Sequence, residues 1–118
     1  MKTSELTGPA LDYMVHVALG HSMHSCAYWL EKYADEQRRD MCEAYSTSWS
    51  YGGPIIEREW LDVTPWPNES DESVRWQCTQ HYLREPVTTL GPTPLIAAMR
   101  CYVASKLGDE VEVPEELK

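Results

Sequence analysis

A chain of 118 residues holds one domain with one core, and residues 1–118 are read here as a single unit. Hydrophobic content of 42% and charged content of 25% are those of a globular protein, which excludes wholesale disorder. Nineteen acidic against ten basic residues give a net charge of −9, a field that repels phosphate backbones and excludes general binding to nucleic-acid polymers.

Five Trp, seven Tyr and no Phe give every aromatic ring a polar handle, which suits pockets and interfaces that are apolar at one end and wet at the other. No apolar run approaches membrane-spanning length, and the opening Met-Lys-Thr-Ser carries no apolar leader segment. Cys26, Cys42, Cys78 and Cys101 lie far apart with no C-x-x-C pair. The expectation is a cytoplasmic protein with reduced, mostly buried thiols.

The first helix is expected over Ser4–Leu19, where Leu6, Ala10, Tyr13, Met14 and Val17 make an apolar stripe and Gly20 supplies a left-handed stop. Gly8-Pro9 leaves its start open by about a turn. A second helix is expected from Cys26 to Ala44, with Trp29, Leu30 and Tyr33 inward and a mixed-charge face that includes Lys32 outward. Tyr45–Gly53 reads as a polar loop ending in a Gly52-Gly53-Pro54 bend, and Pro54–Val63 reads as a strand with charges on both sides. Thr64–Ser73 reads as a turn, and Val74–Tyr82 as a second strand in which Val74, Trp76 and Cys78 alternate with Arg75, Gln77 and Thr79. The last helix opens with Thr93 as cap and Pro94 as its first residue and stops at Gly108; Leu95, Met99, Tyr102 and Val103 form its stripe. The sum is an α+β fold, a small antiparallel sheet packed against N- and C-terminal helices. A sheet this small leaves an exposed edge, which predicts a homo-oligomer.

Long blocks of the chain carry a resemblance: the N-terminal Met-Lys-Thr-Ser-Glu-Leu-Thr-Gly-Pro-Ala-Leu-Asp-Tyr, the central Tyr45–Tyr51 with Gly52-Gly53-Pro54-Ile55-Ile56-Glu57-Arg58-Glu59, and the run from Gly91 to Val111. Together they cover somewhat over half of the chain and resemble the NinX-type family of lambdoid phage proteins. His21–Ala44 and the acidic loop after Trp66 stand outside it. The resemblance implies a phage accessory protein acting in the cytoplasm of the infected bacterium and assigns no chemistry.

Several chemistries are weighed on the residues. His16, His21 and His24 lie close in sequence, but apart from Cys26 no further ligand falls beside them at metal-binding spacing, so no metal is assigned. Glu57 and Glu59 flank Arg58, and on a strand their carboxylates share a face, as a small hydrolase acting on a nucleotide would need. No nucleophile elbow or Gly-rich phosphate loop accompanies them, and the chain is read as a non-enzyme without cofactor. An acidic surface with exposed Trp and Tyr also suits a protein-binding inhibitor of a host enzyme or defence protein. The reading preferred is a non-catalytic pocket for a small, nucleotide-derived ligand. Trp49, Tyr51 and Trp76 would stack on a base, Arg58 and Arg100 would neutralise phosphates, and Glu57 would accept from ribose hydroxyls or an exocyclic amine. Backbone N–H groups at Gly52, Gly53 and the Thr93 helix entrance would add anion contacts. By analogy of size, origin and pocket chemistry, such a protein is an anti-defence sponge that sequesters a nucleotide signal of bacterial immunity.

Overall fold

The computed structural model describes residues 1–66 and 71–118. Their order is α1 (Gly8–Ala18), α2 (Met23–Ala34), α3 (Trp49–Glu59), β1 (Asp62–Pro65), β2 (Trp76–Gln80), β3 (Val87–Gly91) and α4 (Pro94–Leu107), with short 3-10 turns at Thr3–Glu5, Arg39–Met41, Glu72–Val74 and Glu115–Leu117. The strands form one antiparallel sheet in the order β1-β2-β3, with Asp62 opposite Thr79 and Trp76 opposite Gly91. The α+β architecture is the expected one.

Helix α4 is the centre of the molecule. Thr93 Oγ1 accepts from the Ile96 amide at 3.1 Å, Pro94 occupies the first turn, and Gly108 at φ 91° ends the helix. The expected stripe of Leu95, Met99, Tyr102 and Val103 is buried, and so are Ala97, Ala98, Cys101 and Ala104. A helix apolar on nearly every side belongs in the interior. It packs against all three strands, α1 and α3.

Helix α1 starts later than Ser4. Gly8 adopts φ 58° and Pro9 has no N–H to donate back to Glu5, so the helix begins at this pair and does not extend back to Ser4, and Thr3–Glu5 forms a separate 3-10 turn. The buried face centres on Leu11 and Val15 beside Ala10 and Met14, while Tyr13 and Val17 sit at its margin. Gly20 at φ 86° makes the expected stop.

Helix α2 stops at Ala34, ten residues short of the expected Ala44. Asp35 accepts from the Gln37 amide at 3.0 Å and pairs with Arg38, a local hydrogen-bonded turn that competes with helix. Ser22 caps the other end by accepting from the Ser25 amide. Trp29 is buried, stacked on Tyr33 and edge-on to Tyr13. Lys32, expected in water, is buried; its Nζ donates to the Met41 carbonyl at 3.5 Å and lies over the Tyr28 ring.

The largest correction is at α3. Trp49–Glu59 is one helix, so Gly52-Gly53-Pro54 is no bend and Pro54–Glu59 is no strand; the chain becomes a strand only at Asp62. Gly52 is required by packing: a Cβ there would lie 2.5 Å from the Tyr45 carbonyl oxygen and 2.6 Å from Leu95 Cδ2. Pro54 costs the helix only the bond its missing N–H would make to the Ser50 carbonyl. Ile55 is buried and Ile56 partly so, tying the helix to α4. The second expected strand is present but trimmed to Trp76–Gln80, because Glu72–Val74 is a 3-10 turn in which Asp71 accepts from the Ser73 amide. β3 was not foreseen. Of the turn expected over Thr64–Ser73, Thr64 and Pro65 belong to β1 and residues 67–70 lie outside the described residues.

Lys2 and Glu110 form an isolated bridge, flanked by Thr3 N–H to the Asp109 carbonyl at 2.8 Å and by mutual bonds between Met1 and Val111. All four cysteines are buried, unpaired thiols.

Candidate functional site

The exit of α3 holds the clearest local anomaly. Trp60 adopts φ 54°, ψ 45°, and is the one non-glycine residue with positive φ among the described residues. Its N–H donates to the Glu57 carbonyl and the Leu61 N–H to the Ile56 carbonyl, the pairing of a Schellman cap, whose left-handed position usually falls to glycine. A bulky residue there costs on the order of 1–2 kcal/mol. The indole is not buried in compensation; it remains 69% exposed.

Opposite it stands Tyr82, equally exposed, with ring centroids 5.7 Å apart and planes at 90°. The buried Gln80 at the end of β2 couples the two segments. Its Nε2 donates to the Glu59 carbonyl at 2.9 Å, and its Oε1 accepts from the Tyr82 amide at 3.0 Å. One side-chain amide thus fixes the helix exit and the strand exit that carry the two rings.

Arg58, Glu59, Trp60 and Tyr82 enclose an open depression of about 390 Å³. Glu59 is held by Lys106 Nζ at 3.2 Å and by Arg58 Nε at 3.4 Å. Arg58 Nη2 donates to the Tyr102 hydroxyl at 3.4 Å. Burial pushes the Tyr102 phenol up and Arg58 pulls it partly back, so the phenol stays protonated at neutral pH. These contacts orient the guanidinium yet leave it more than half exposed, with donors turned to solvent. A flat ring can stack on Trp60 or Tyr82 while its anionic substituent meets Arg58.

Of the ligand-binding residues expected from the sequence, Arg58 alone lines this depression, together with Glu59, which the sequence offered only as an acid–base partner of Glu57. Trp49 is the first residue of α3, exposed, and its ring lies near Gly53. Nine positions separate it from Arg58, which on a helix is about 13 Å and half a turn. Tyr51 is exposed, edge-on to Tyr45 at 6.0 Å. The two glycines are inside the helix. Glu57 is exposed, and its two-residue offset from Glu59 places the carboxylates about 200° apart around the axis, where a strand would have aligned them. Trp76 is half-buried against the core, and the Thr93 hydroxyl is engaged as cap. Arg100 lines a different cleft, its Nε donating to the Leu6 carbonyl and Nη1 to the Leu90 carbonyl. Trp60 and Tyr82 were missed because a left-handed tryptophan follows from the α3 exit, and α3 was read as a strand.

A second polar cluster is buried between α1 and the loop before α3. His16 Nδ1 faces the Tyr45 hydroxyl at 3.2 Å and Nε2 faces Ser25 Oγ at 3.1 Å. Its ring stacks on His21 at 3.9 Å, and Glu43 lies 3.9 Å away. Burial lowers the His16 pKa, His21 and Lys32 lower it further, and Glu43 opposes them. Asp12 accepts from the Ser46 amide at 2.8 Å, and burial raises its pKa. Among the described residues no three His, Cys, Asp or Glu side chains converge as a metal site.

No curated protein matches the chain. The family model described as Bacteriophage P22, NinX matches residues 2–106, which span α1, α2, α3, the sheet and all of α4 but its last residue. With that coverage, the chain belongs to the phage P22 NinX family.

Proposed function

We propose that this phage accessory protein is a non-catalytic binder of a small, nucleotide-derived ligand, seated in the depression at the exit of α3. The observation that carries the reading is Trp60: a strained backbone presents an exposed indole at right angles to Tyr82 and beside a partly free guanidinium. Natural chains keep strain of this kind where function uses it. Base stacking on an aromatic side chain contributes about 1–3 kcal/mol, and a charge-assisted bond to a phosphate about 1.5–3 kcal/mol. The nearby carboxylate is engaged by Lys106 and Arg58, which favours holding a ligand over turning it over. The biological role we infer is sequestration of a bacterial immune signal in the host cytoplasm. No helix among the described residues is long and apolar enough to cross a membrane, which accords with that setting.

The test is to incubate the protein with extracts of defence-activated cells, wash, denature it and identify any released small molecule by mass spectrometry. An unmodified nucleotide-like compound is expected, and Trp60→Ala with Arg58→Ala should weaken its binding at least about a hundredfold. A chemically altered product, or undiminished affinity in the double variant, overturns the reading. The open depression and protruding rings also suit an aromatic anchor in a contact with a host protein. That alternative predicts a co-purifying polypeptide and no released small molecule.

The outer edge of β1, unpaired among the described residues, supports assembly into a homo-oligomer. Mass measurement in solution at micromolar concentration checks this; a clean monomer contradicts it.

A further inference from the structure

Arg100 raises a separate question. It projects from the central helix and ties two distant segments by donating to the carbonyls of Leu6 at 2.7 Å and Leu90 at 2.8 Å. Those bonds use one donor on Nε and one on Nη1. Both N–H groups of Nη2 have no acceptor among the described residues, and no carboxylate lies within ion-pair distance of the guanidinium there. Arg38, Arg58 and Arg75 are each paired with an acid, and Arg39 and Arg84, which have no acid partner among the described residues, are exposed where Arg100 is half-buried. In a molecule of net charge −9, a half-buried arginine with only neutral protein partners is an exception to the usual pairing of buried charge. Burial lowers its pKa, but an arginine remains charged at neutral pH.

Arg100 forms part of the wall of a cleft of about 630 Å³ between the 3-10 turn at Thr3–Glu5, the turn before β2 and strand β3. Ser4, Thr7, Ser73 and Thr88 line the same cleft, the last two with hydroxyls already engaged by Asp71 and Thr79, and among the described residues Glu5 is its one acidic lining residue. Ser4 and Thr7 make no side-chain hydrogen bond among the described residues, although Thr7 stands at the N-cap of α1, where a threonine would normally accept from the helix. A fixed cation with free donors beside unengaged hydroxyls is complementary to a tetrahedral or planar oxyanion.

We propose that this cleft is a second binding site, taking one oxyanion group, a phosphate or a carboxylate of a small ligand, on Arg100 Nη2. The proposal is independent of the Trp60 depression. A purely structural arginine would need only the two carbonyl bonds. The exposed Glu5 carboxylate lines the same cleft and weakens the site by like-charge repulsion of the anion.

The test follows the Arg100 Nε–H and Leu90 amide resonances of the full chain by NMR. Inorganic phosphate and acetate are titrated at ionic strength held constant with sodium chloride. Saturable shifts with a dissociation constant of about 1–10 mM are expected. Glu5→Gln should tighten binding about fivefold. Thr7→Glu, which tethers a carboxylate in the cleft, should abolish it, and Thr88→Glu repeats that test should Thr7→Glu disturb the fold. Trp60→Ala should leave it unchanged. Saturation by phosphate alone identifies a phosphoryl site, and saturation by both anions one that accepts carboxylates. Shifts that merely follow ionic strength in both wild type and Glu5→Gln overturn the proposal, as does binding that persists in a folded Thr7→Glu or Thr88→Glu variant.

Discussion

Trp60 makes opposite demands on stability and binding. Replacing it by glycine removes the left-handed penalty and supplies the residue a Schellman cap prefers, while forfeiting an edge-to-face contact with Tyr82 that contributes about 0.5–1.5 kcal/mol. The penalty relieved, about 1–2 kcal/mol, exceeds the middle of that range. Trp60→Gly should therefore unfold at equal or higher urea concentration than wild type, by up to about 1 kcal/mol, while losing ligand. A marked fall in the urea midpoint would show instead that the indole is part of the core. His16 supplies a pH signature of known sign. Its folded pKa is depressed, so below the unfolded value near 6.5 the unfolded chain takes up the proton first. Stability should be fully present above about pH 6.5 and should fall as pH drops through that value toward the folded pKa. His16→Asn should flatten this slope in denaturant melts recorded between pH 7.5 and pH 5. Asp12, with its pKa raised by burial, works in the opposite sense at lower pH: stability falls as pH rises from its unfolded value near 3.8 toward the folded pKa.

At the scale of elements, α4 and β2 were legible because their signals are local. Thr93, Pro94 and Gly108 mark both ends of α4, and Trp76-Gln77-Cys78 alternates apolar and polar in sequence, although in the folded strand Thr79 and Gln80 are buried along with Cys78. Helix α3 was not legible, because Gly52, Gly53 and Pro54 each disfavour helix and the two isoleucines that follow favour strand. What overrides them is tertiary: the Tyr45 carbonyl and Leu95 leave no space for a side chain at position 52, and only a helix presents that glycine and Ile55 on one face. The two adjacent glycines should therefore respond oppositely to alanine. Gly52→Ala meets main chain at 2.5 Å and should destabilise by about 1–3 kcal/mol through overpacking. Gly53→Ala meets only the Trp49 ring at 3.8 Å and should be neutral or stabilising by up to about 1 kcal/mol. Thermal melts of the two variants decide it, and equal effects would contradict the packing account.

For the whole molecule, length and composition indicated a single core, the order of helix and strand patterns indicated the class of fold, and the residues pointed to arginines and exposed rings. They could not show which ring meets which arginine, because that depends on the pitch of one misread helix. Arg58 and Arg100 were both singled out, yet they line separate depressions, each with its own neighbours. The position of α4 has a further consequence, for how the molecule forms. The elements that pack most on it precede it in the chain, and although β3 lies next to it in sequence, α1, α3 and β1 reach this common buried partner only after longer stretches of backbone have closed into loops. The entropy of those closures comes before the reward, which favours a slow, single cooperative step over assembly from the N-terminus onward. A fragment ending at Pro92 should accordingly give a disordered spectrum by circular dichroism, and adding a synthetic peptide of residues 93–118 should restore helix and sheet together. The helix made last among those described is the one on which the rest condense.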